Sequence, residues 1–115
     1  MAMKPLGTKG EDIAAGYLNK KGFKVLHRNY RTPLGEADII MKDDDAIVFV
    51  EVKSRSNDAF GQPFEAVDYK KQQKLKKIAL YYMKHNKNES PVRFDVVSIS
   101  FKDGKNVVEH IIEAF

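Results

Sequence analysis

The sequence predicts an α/β domain, a mixed β-sheet flanked by helices in the order α-β-β-β-α-β-β, and three observations predict it. Two stretches carry apolar residues at helical spacing, Thr8 to Lys21 and about residues 65 to 85. Five shorter runs alternate at the strand period of two or are apolar throughout. The first three of these are joined by turns too short for anything but antiparallel neighbours, whereas the helix between the third and fourth allows a parallel return. A chain of 115 residues suits one domain spanning residues 1–115.

Each element has its own warrant. In the first helix Ile13, Ala14, Tyr17 and Leu18 share a face, Gly22 supplies the stop, and Glu11 borders the buried stripe. Strands follow over Phe23 to Arg31 and Gly35 to Met41, separated by the turn around Pro33, and Asp43-Asp44-Asp45 makes a hairpin turn. In the strand Ala46 to Ser54, Ile47, Phe49, Glu51 and Lys53 share one face while Val48, Val50 and Val52 cover the other. Being apolar on both sides for most of its length, this strand is expected at the sheet centre. Ser54 to Pro63 reads as a loop. The second helix is expected from about Glu65 to His85, with Leu75, Ile78, Ala79 and Tyr82 buried and Lys70, Lys74, Lys77 and Lys84 on a more exposed stripe. Pro91 to Phe101 and about Asn106 to Ile112 are the last strands, joined at Asp103-Gly104.

Composition narrows the function classes. The absence of cysteine excludes disulfides and zinc–thiolate sites. Nothing at the start resembles a signal peptide and the apolar runs are strand-sized, which leads to the expectation of a cytoplasmic protein without membrane partners. The net charge is +4, and Lys70 to Asn88 holds seven lysines and no acid, whereas Glu36, Asp38, Asp43 to Asp45 and Glu51 cluster earlier. A basic surface beside an acidic centre suits a polyanionic partner and a metal held against its phosphates.

The chemistry concentrates at one strand end. Counting outward from the hairpin turn brings Asp38 and Glu51 to similar height on adjacent strands, and Lys53 follows Glu51 on the same face. Two hard oxygen ligands beside an amine suit phosphodiester hydrolysis with Mg²⁺ or Mn²⁺. The lysine orients or deprotonates water, or neutralises charge at the transition state. Two neighbouring anions favour its protonated form, and hence the orienting and electrostatic roles.

The runs Gly35-Glu36-Ala37-Asp38 and Phe49-Val50-Glu51-Val52-Lys53 resemble the signature of the PD-(D/E)xK nuclease superfamily, the restriction-endonuclease-like fold. Gly10-Glu11, Asn29-Tyr30-Arg31, Lys71 to Leu75 and Arg93 to Val97 extend the likeness to the UPF0102 (YraN-like) family, regarded as distant relatives of archaeal Holliday junction resolvases. Ala37 stands where the superfamily has proline, a change in strand-end geometry that removes no ligand. The resemblance implies metal ligation by Asp38 and Glu51, a catalytic Lys53, Glu11 as a further acidic ligand from the first helix, and Gln72 as a helix glutamine near the site.

Blander roles compete at each position. Glu51 and Lys53 would also make an ion pair, Glu11 would serve as a helix-start acid, and Gln72 would satisfy backbone groups. Asp95 has a same-face partner in Arg93. Arg31, Arg55 and Lys71 are candidate nucleic-acid contacts, and Phe60, in a polar loop beside the site, is a better candidate than Tyr30 for stacking on an unpaired base. His27, His85 and His110 lack ligand spacing. The leading expectation is a metal-dependent endonuclease on DNA of branched or distorted shape, with a homodimer required for symmetric incision. A catalytically silent nucleic-acid-binding or partner-docking module and an RNA nuclease are the alternatives.

Overall fold

The computed structural model describes residues 6–55 and 67–115. Helix α1 (Leu6–Lys20) is followed by β1 (Lys24–Thr32), β2 (Gly35–Asp43), β3 (Ala46–Arg55), α2 (Tyr69–His85), β4 (Val92–Lys102) and β5 (Lys105–Ile111), the order the sequence predicts. The strands form one sheet in the spatial order β1-β2-β3-β4-β5, with β3 and β4 parallel and every other pair antiparallel. The mixed character follows from the connections. Two-residue turns fold β2 onto β3 and β4 onto β5, while the β3-to-β4 connection carries α2 across the sheet.

Both faces of β3 are covered. Val48 and Val50 pack with Ala14 and Leu18 of α1, together with Ile39, Met41, Val97 and Ile99. Ile47 and Phe49 pack with Leu75, Ile78 and Tyr82 of α2, together with Ile40. Burying a side chain such as Phe49 or Leu18 contributes about 1.5–3 kcal/mol. These two layers, more than intrinsic propensity, hold the helices in place.

One element departs from expectation. Helix α2 starts at Tyr69, because Asp68 takes extended backbone (φ −76°, ψ 171°) and its side chain accepts from the Lys71 backbone N–H at 2.8 Å. An N-cap aspartate satisfies an amide that the first helical turn leaves unpaired. Glu65, the expected start, lies outside the described residues.

A buried ionic cluster closes the α1 side of the sheet. Arg93 donates to both oxygens of Asp95 at 2.9 Å and to Asp43 at 2.6 Å. His110 Nε2 lies 2.7 Å from Asp95 Oδ2, and the Glu113 backbone N–H donates to Oδ1 at 3.1 Å. Asp95 is fully buried. Burial alone would raise its carboxyl, but the bonds from His110, Arg93 and Glu113 overcome that and hold it below the usual carboxylate value. The ion pair weighed for Asp95 from the sequence is what the structure contains.

Candidate active site

The site lies where β2 and β3 part company. Their ladder runs from Asp43↔Ala46 to Ile39↔Val50, and one further step in that register sets Asp38 across from Glu51, as the count from the turn predicts. At that step a side chain replaces the backbone pairing. Asp38 Oδ2 accepts from the Val52 backbone N–H at 2.8 Å. A strand N–H points along the sheet, so the Asp38 carboxylate lies between the strands and not squarely on one face.

The backbone explains this orientation. Ile39 belongs to the α1 layer, but Ala37 and Ile40 both belong to the α2 layer, so simple alternation skips a residue at Asp38. Across the β1–β2 ladder, Arg28↔Ile39 and Tyr30↔Ala37 bracket the position opposite Asp38, and the residue there is Asn29, with φ +52°. Asparagine adopts this left-handed conformation at lower cost than most residues. The kink carries both strands over one residue and frees Asp38 from the core faces. Unbroken strand alternation would put Asp38 on the face of Ile40, and the sign of the kink in the sequence is the asparagine within an otherwise strand-like run.

Glu51 and Lys53 project on the α2 side. Glu51 is 5% exposed, so its charge must be met inside the protein. Lys71 of α2 makes an ion pair with Glu51 Oε1, and Lys53 Nζ stands 3.7 Å from the same oxygen. Lys71, assigned from the sequence only to nucleic-acid contact, is therefore part of the acidic centre. The hydrogen bonds to Glu51 and Lys53 outweigh the opposing effect of burial and raise its ammonium above the usual lysine value. Lys53 moves the other way. Burial, then the hydrogen bond and like charge of Lys71, lower its ammonium despite Glu51 and Asp38. The expectation of a purely charge-favoured Lys53 counted the two anions and not the second lysine.

Asp38 is the electrostatically unsettled member. Its carboxyl is pushed up to about 7, first by burial and then by Glu51, with Glu11 adding to the effect and the Val52 N–H and Lys71 opposing it. Glu11, half-buried on α1, acts on Asp38 from the opposite side of the sheet to Lys71. Its placement depends on close helix–strand contact, since a Cβ on Gly10 would lie 1.8 Å from Ser54 Oγ.

The remaining candidates separate. Gln72 spends its amide on the Val67 carbonyl at 3.1 Å, the backbone-satisfying role weighed for it. Arg31 is exposed and stands 3.6 Å from Glu36. Arg55 ends β3 but its side chain, and Phe60 entirely, lie outside the described residues. Tyr30 belongs to the α2-side layer, ring to ring with Tyr82. Among the described residues no set of three or more His, Cys, Asp or Glu gathers closely enough to hold a metal ion, so Glu11 does not join Asp38 and Glu51 as a third ligand in this geometry. A small pocket of about 120 Å³ opens beside Glu51, with Glu36, Lys71 and Lys74 on its walls.

The fold and site define an α/β protein with two crowded carboxylates and two lysines at one sheet position. The chain belongs to the family described as uncharacterised protein family UPF0102, which matches residues 10–99. It is 54% identical over 115 residues to a UPF0102 protein of Thermodesulfovibrio yellowstonii, covering 100% of this chain and 99% of the relative. It is 50% identical over 113 residues to one of Syntrophomonas wolfei (97% and 98% covered) and 47% identical over 116 residues to one of Clostridioides difficile (100% of both). No helix among the described residues is long and apolar enough to cross a membrane.

Proposed function

We propose that this protein is a divalent-metal-dependent nuclease whose centre is Asp38, Glu51, Lys53 and Lys71, a distant member of the PD-(D/E)xK superfamily. The observation that carries the reading is the crowding of negative charge, with Glu51 buried and Asp38 and Glu11 half-buried. Asp38 sits between Glu51 and Glu11, and its carboxyl is pushed up to about 7 even with Lys71 nearby. A cation would relieve that crowding. The donor set fits Mg²⁺ or Mn²⁺, because Mg²⁺ is commonly held by one or two carboxylates with water and substrate phosphate completing its shell. Asp38 and Glu51 would hold it; Oδ2 of Asp38 is oriented by Val52, which leaves Oδ1 available.

When bound, the ion supplies Lewis-acid stabilisation of charge on the phosphate. The chain's own residues do the rest. Lys71 presents a firmly held ammonium for neutralising phosphate charge. Lys53, with its lowered pKa, is the residue suited to orient water or take its proton. The net charge of +4 and the lysine-rich α2 attract the polyanion. DNA is the favoured substrate. The short chain favours recognition of shape and backbone over base sequence, and hence branched or distorted forms. Symmetric incision of a junction would need a homodimer.

Cleavage of single-stranded, flapped, four-way and linear DNA, and of RNA, in Mg²⁺ or Mn²⁺ tests the reading. The expected result is metal-dependent cleavage that Asp38→Asn and Glu51→Gln abolish; cleavage insensitive to both would overturn it. One observation favours a second reading, a catalytically silent nucleic-acid-binding module. Lys71 occupies Glu51, and no third carboxylate among the described residues completes a ligand set. Salt-dependent binding without turnover on any member of the panel would select it, and activity confined to RNA would select an RNA nuclease.

A further inference from the structure

Beside the small pocket at Glu51 lies a second, wider groove of about 470 Å³ over the first two turns of α2 and the β1–β2 turn. The two share Lys74. The groove is lined by Leu34, Tyr69, Lys70, Gln73, Lys74 and Lys77, with no acidic side chain among them. Tyr69 is 74% exposed and Leu34 is 44% exposed; Leu80, Val92, Val107 and Ile112 are exposed elsewhere, but among the described residues Tyr69 is the exposed large apolar side chain with the most surface in water, and it stands with Leu34 among the lysines of this groove. Lys74 is steered toward the shared edge. Its side chain lies over Gly35 so closely that a Cβ there would come 2.8 Å from Lys74 Cε, and Gly35 has φ +140°.

The spacing has a consequence. Tyr69, Gln73 and Lys77 recur every four residues, and Lys70 and Lys74 lie alongside them, so the side chains form one continuous stripe. From Lys70 to Lys77 the helix rises about 11 Å, comparable to three nucleotide steps at ~3.4 Å each. A row of ammonium groups flanking an exposed ring is what an unpaired strand requires: charge for the phosphates and a flat surface for a base. A folded duplex keeps its bases stacked inside and would leave Tyr69 and Leu34 unused.

We infer that this groove holds an unpaired stretch of polynucleotide leading to the Glu51 pocket, with Lys70, Lys74 and Lys77 on its phosphates and one base stacked on Tyr69 beside Leu34. The inference rests on the nuclease reading for its direction, since the groove opens onto that site. It specifies a substrate with a single-stranded segment, such as an overhang, flap or opened junction, and makes Tyr69 a specificity-determining residue.

The test is fluorescence anisotropy of labelled oligonucleotides with the full chain in EDTA, which separates binding from turnover. Single-stranded DNA, single-stranded RNA and a blunt duplex of equal length are titrated over a range of salt. The wild type is expected to prefer one or both single strands, and either sugar supports the groove. Tyr69→Ala should weaken single-strand binding about tenfold and leave the blunt duplex unchanged, while Tyr69→Phe should bind as the wild type does. Lys70→Gln with Lys77→Gln should reduce the salt slope by about 1.4, at ~0.7 per lost phosphate contact on a single strand. Tyr69 is exposed, so Tyr69→Ala is expected to fold, and circular dichroism checks it. Unchanged single-strand binding by Tyr69→Ala, or no single-strand preference in the wild type, overturns the groove. Metal-dependent cleavage sensitive to Glu51→Gln would then still stand. Groove binding as expected with no cleavage of any substrate would instead sink the nuclease reading alone.

Discussion

Asp95 and Asp38 are both carboxylates within the same sheet, and the protein treats them in opposite ways. Asp95 receives a two-pronged bond from Arg93, a contact from His110 and a backbone N–H, and its carboxyl is held low. Asp38 receives one backbone N–H and faces two other acids, and its carboxyl is pushed up to about 7. Burial raises both. What differs is whether the fold supplies compensating charge, and the lesson is that a half-buried acid crowded by other acids and left short of cations is a candidate place for one from outside. Lys71 and Lys53 do not change this, because they converge on Glu51.

The contrast predicts that the two clusters fail differently. Asp95→Ala should destabilise by about 3–5 kcal/mol in urea unfolding at pH 7, because it removes the fully buried acceptor shared by Arg93, His110 and the Glu113 N–H. A loss under about 1 kcal/mol would remove the structural half of the comparison. Glu51→Gln should instead cut cleavage by about a hundredfold or more while the unfolding midpoint stays near that of the wild type, since Lys71 can turn to solvent. If its stability fell as far as that of Asp95→Ala, the two regions would be alike and the distinction would collapse.

A smaller effect comes from the α1 contact. Gly10→Ala should cost about 1–3 kcal/mol by forcing the helix off β3, and adding Ser54→Ala should restore part of it, because the Ser54 hydroxyl is the nearest obstacle. Equal stability of the single and double variants would show that the helix moves without resistance.

The smallest effect is the dependence on pH, read by thermal unfolding in EDTA. Asp38 has a folded value raised from 3.8 to about 7, so the folded state binds the extra proton between those limits and stability falls as pH rises through them. Asp38→Asn keeps an acceptor for Val52 and carries no charge. It should melt about 4 °C higher than the wild type at pH 8 and lack the decline. Asp95 has the opposite sign. Its stabilisation is present above the unfolded value of 3.8 and is lost as pH falls through its lower folded value. A wild-type profile flat from pH 4 to 8 would show that Asp38 is not crowded in solution.

Much of the fold was legible because its signals are local. The apolar residues on both faces of Ala46 to Ser54 mark a central strand, Asp103-Gly104 marks a tight turn, and the β2–β3 turn sets the register that brings Asp38 opposite Glu51. The start of α2 differs from the expected one because the lysine- and glutamine-rich run before Leu75 has no apolar stripe to mark its beginning, whereas Asp68, three residues past the expected start, offers the cap. The role of Lys71 was hidden for another reason. Only the docking of α2 over the sheet brings its ammonium to Glu51.

By itself, then, the sequence determined the element order, the central strand and the pairing height of Asp38 and Glu51, because strand period and turn length are properties of adjacent residues. The tertiary structure alone decided which charges meet. Lys71 rather than Lys53 makes the closer pair with Glu51, Asn29 turns Asp38 into the space between strands, and the charge of Glu11 acts on Asp38 from the other side of the sheet. Electrostatic energy depends on separation and burial in space, and neither is a function of distance along the chain.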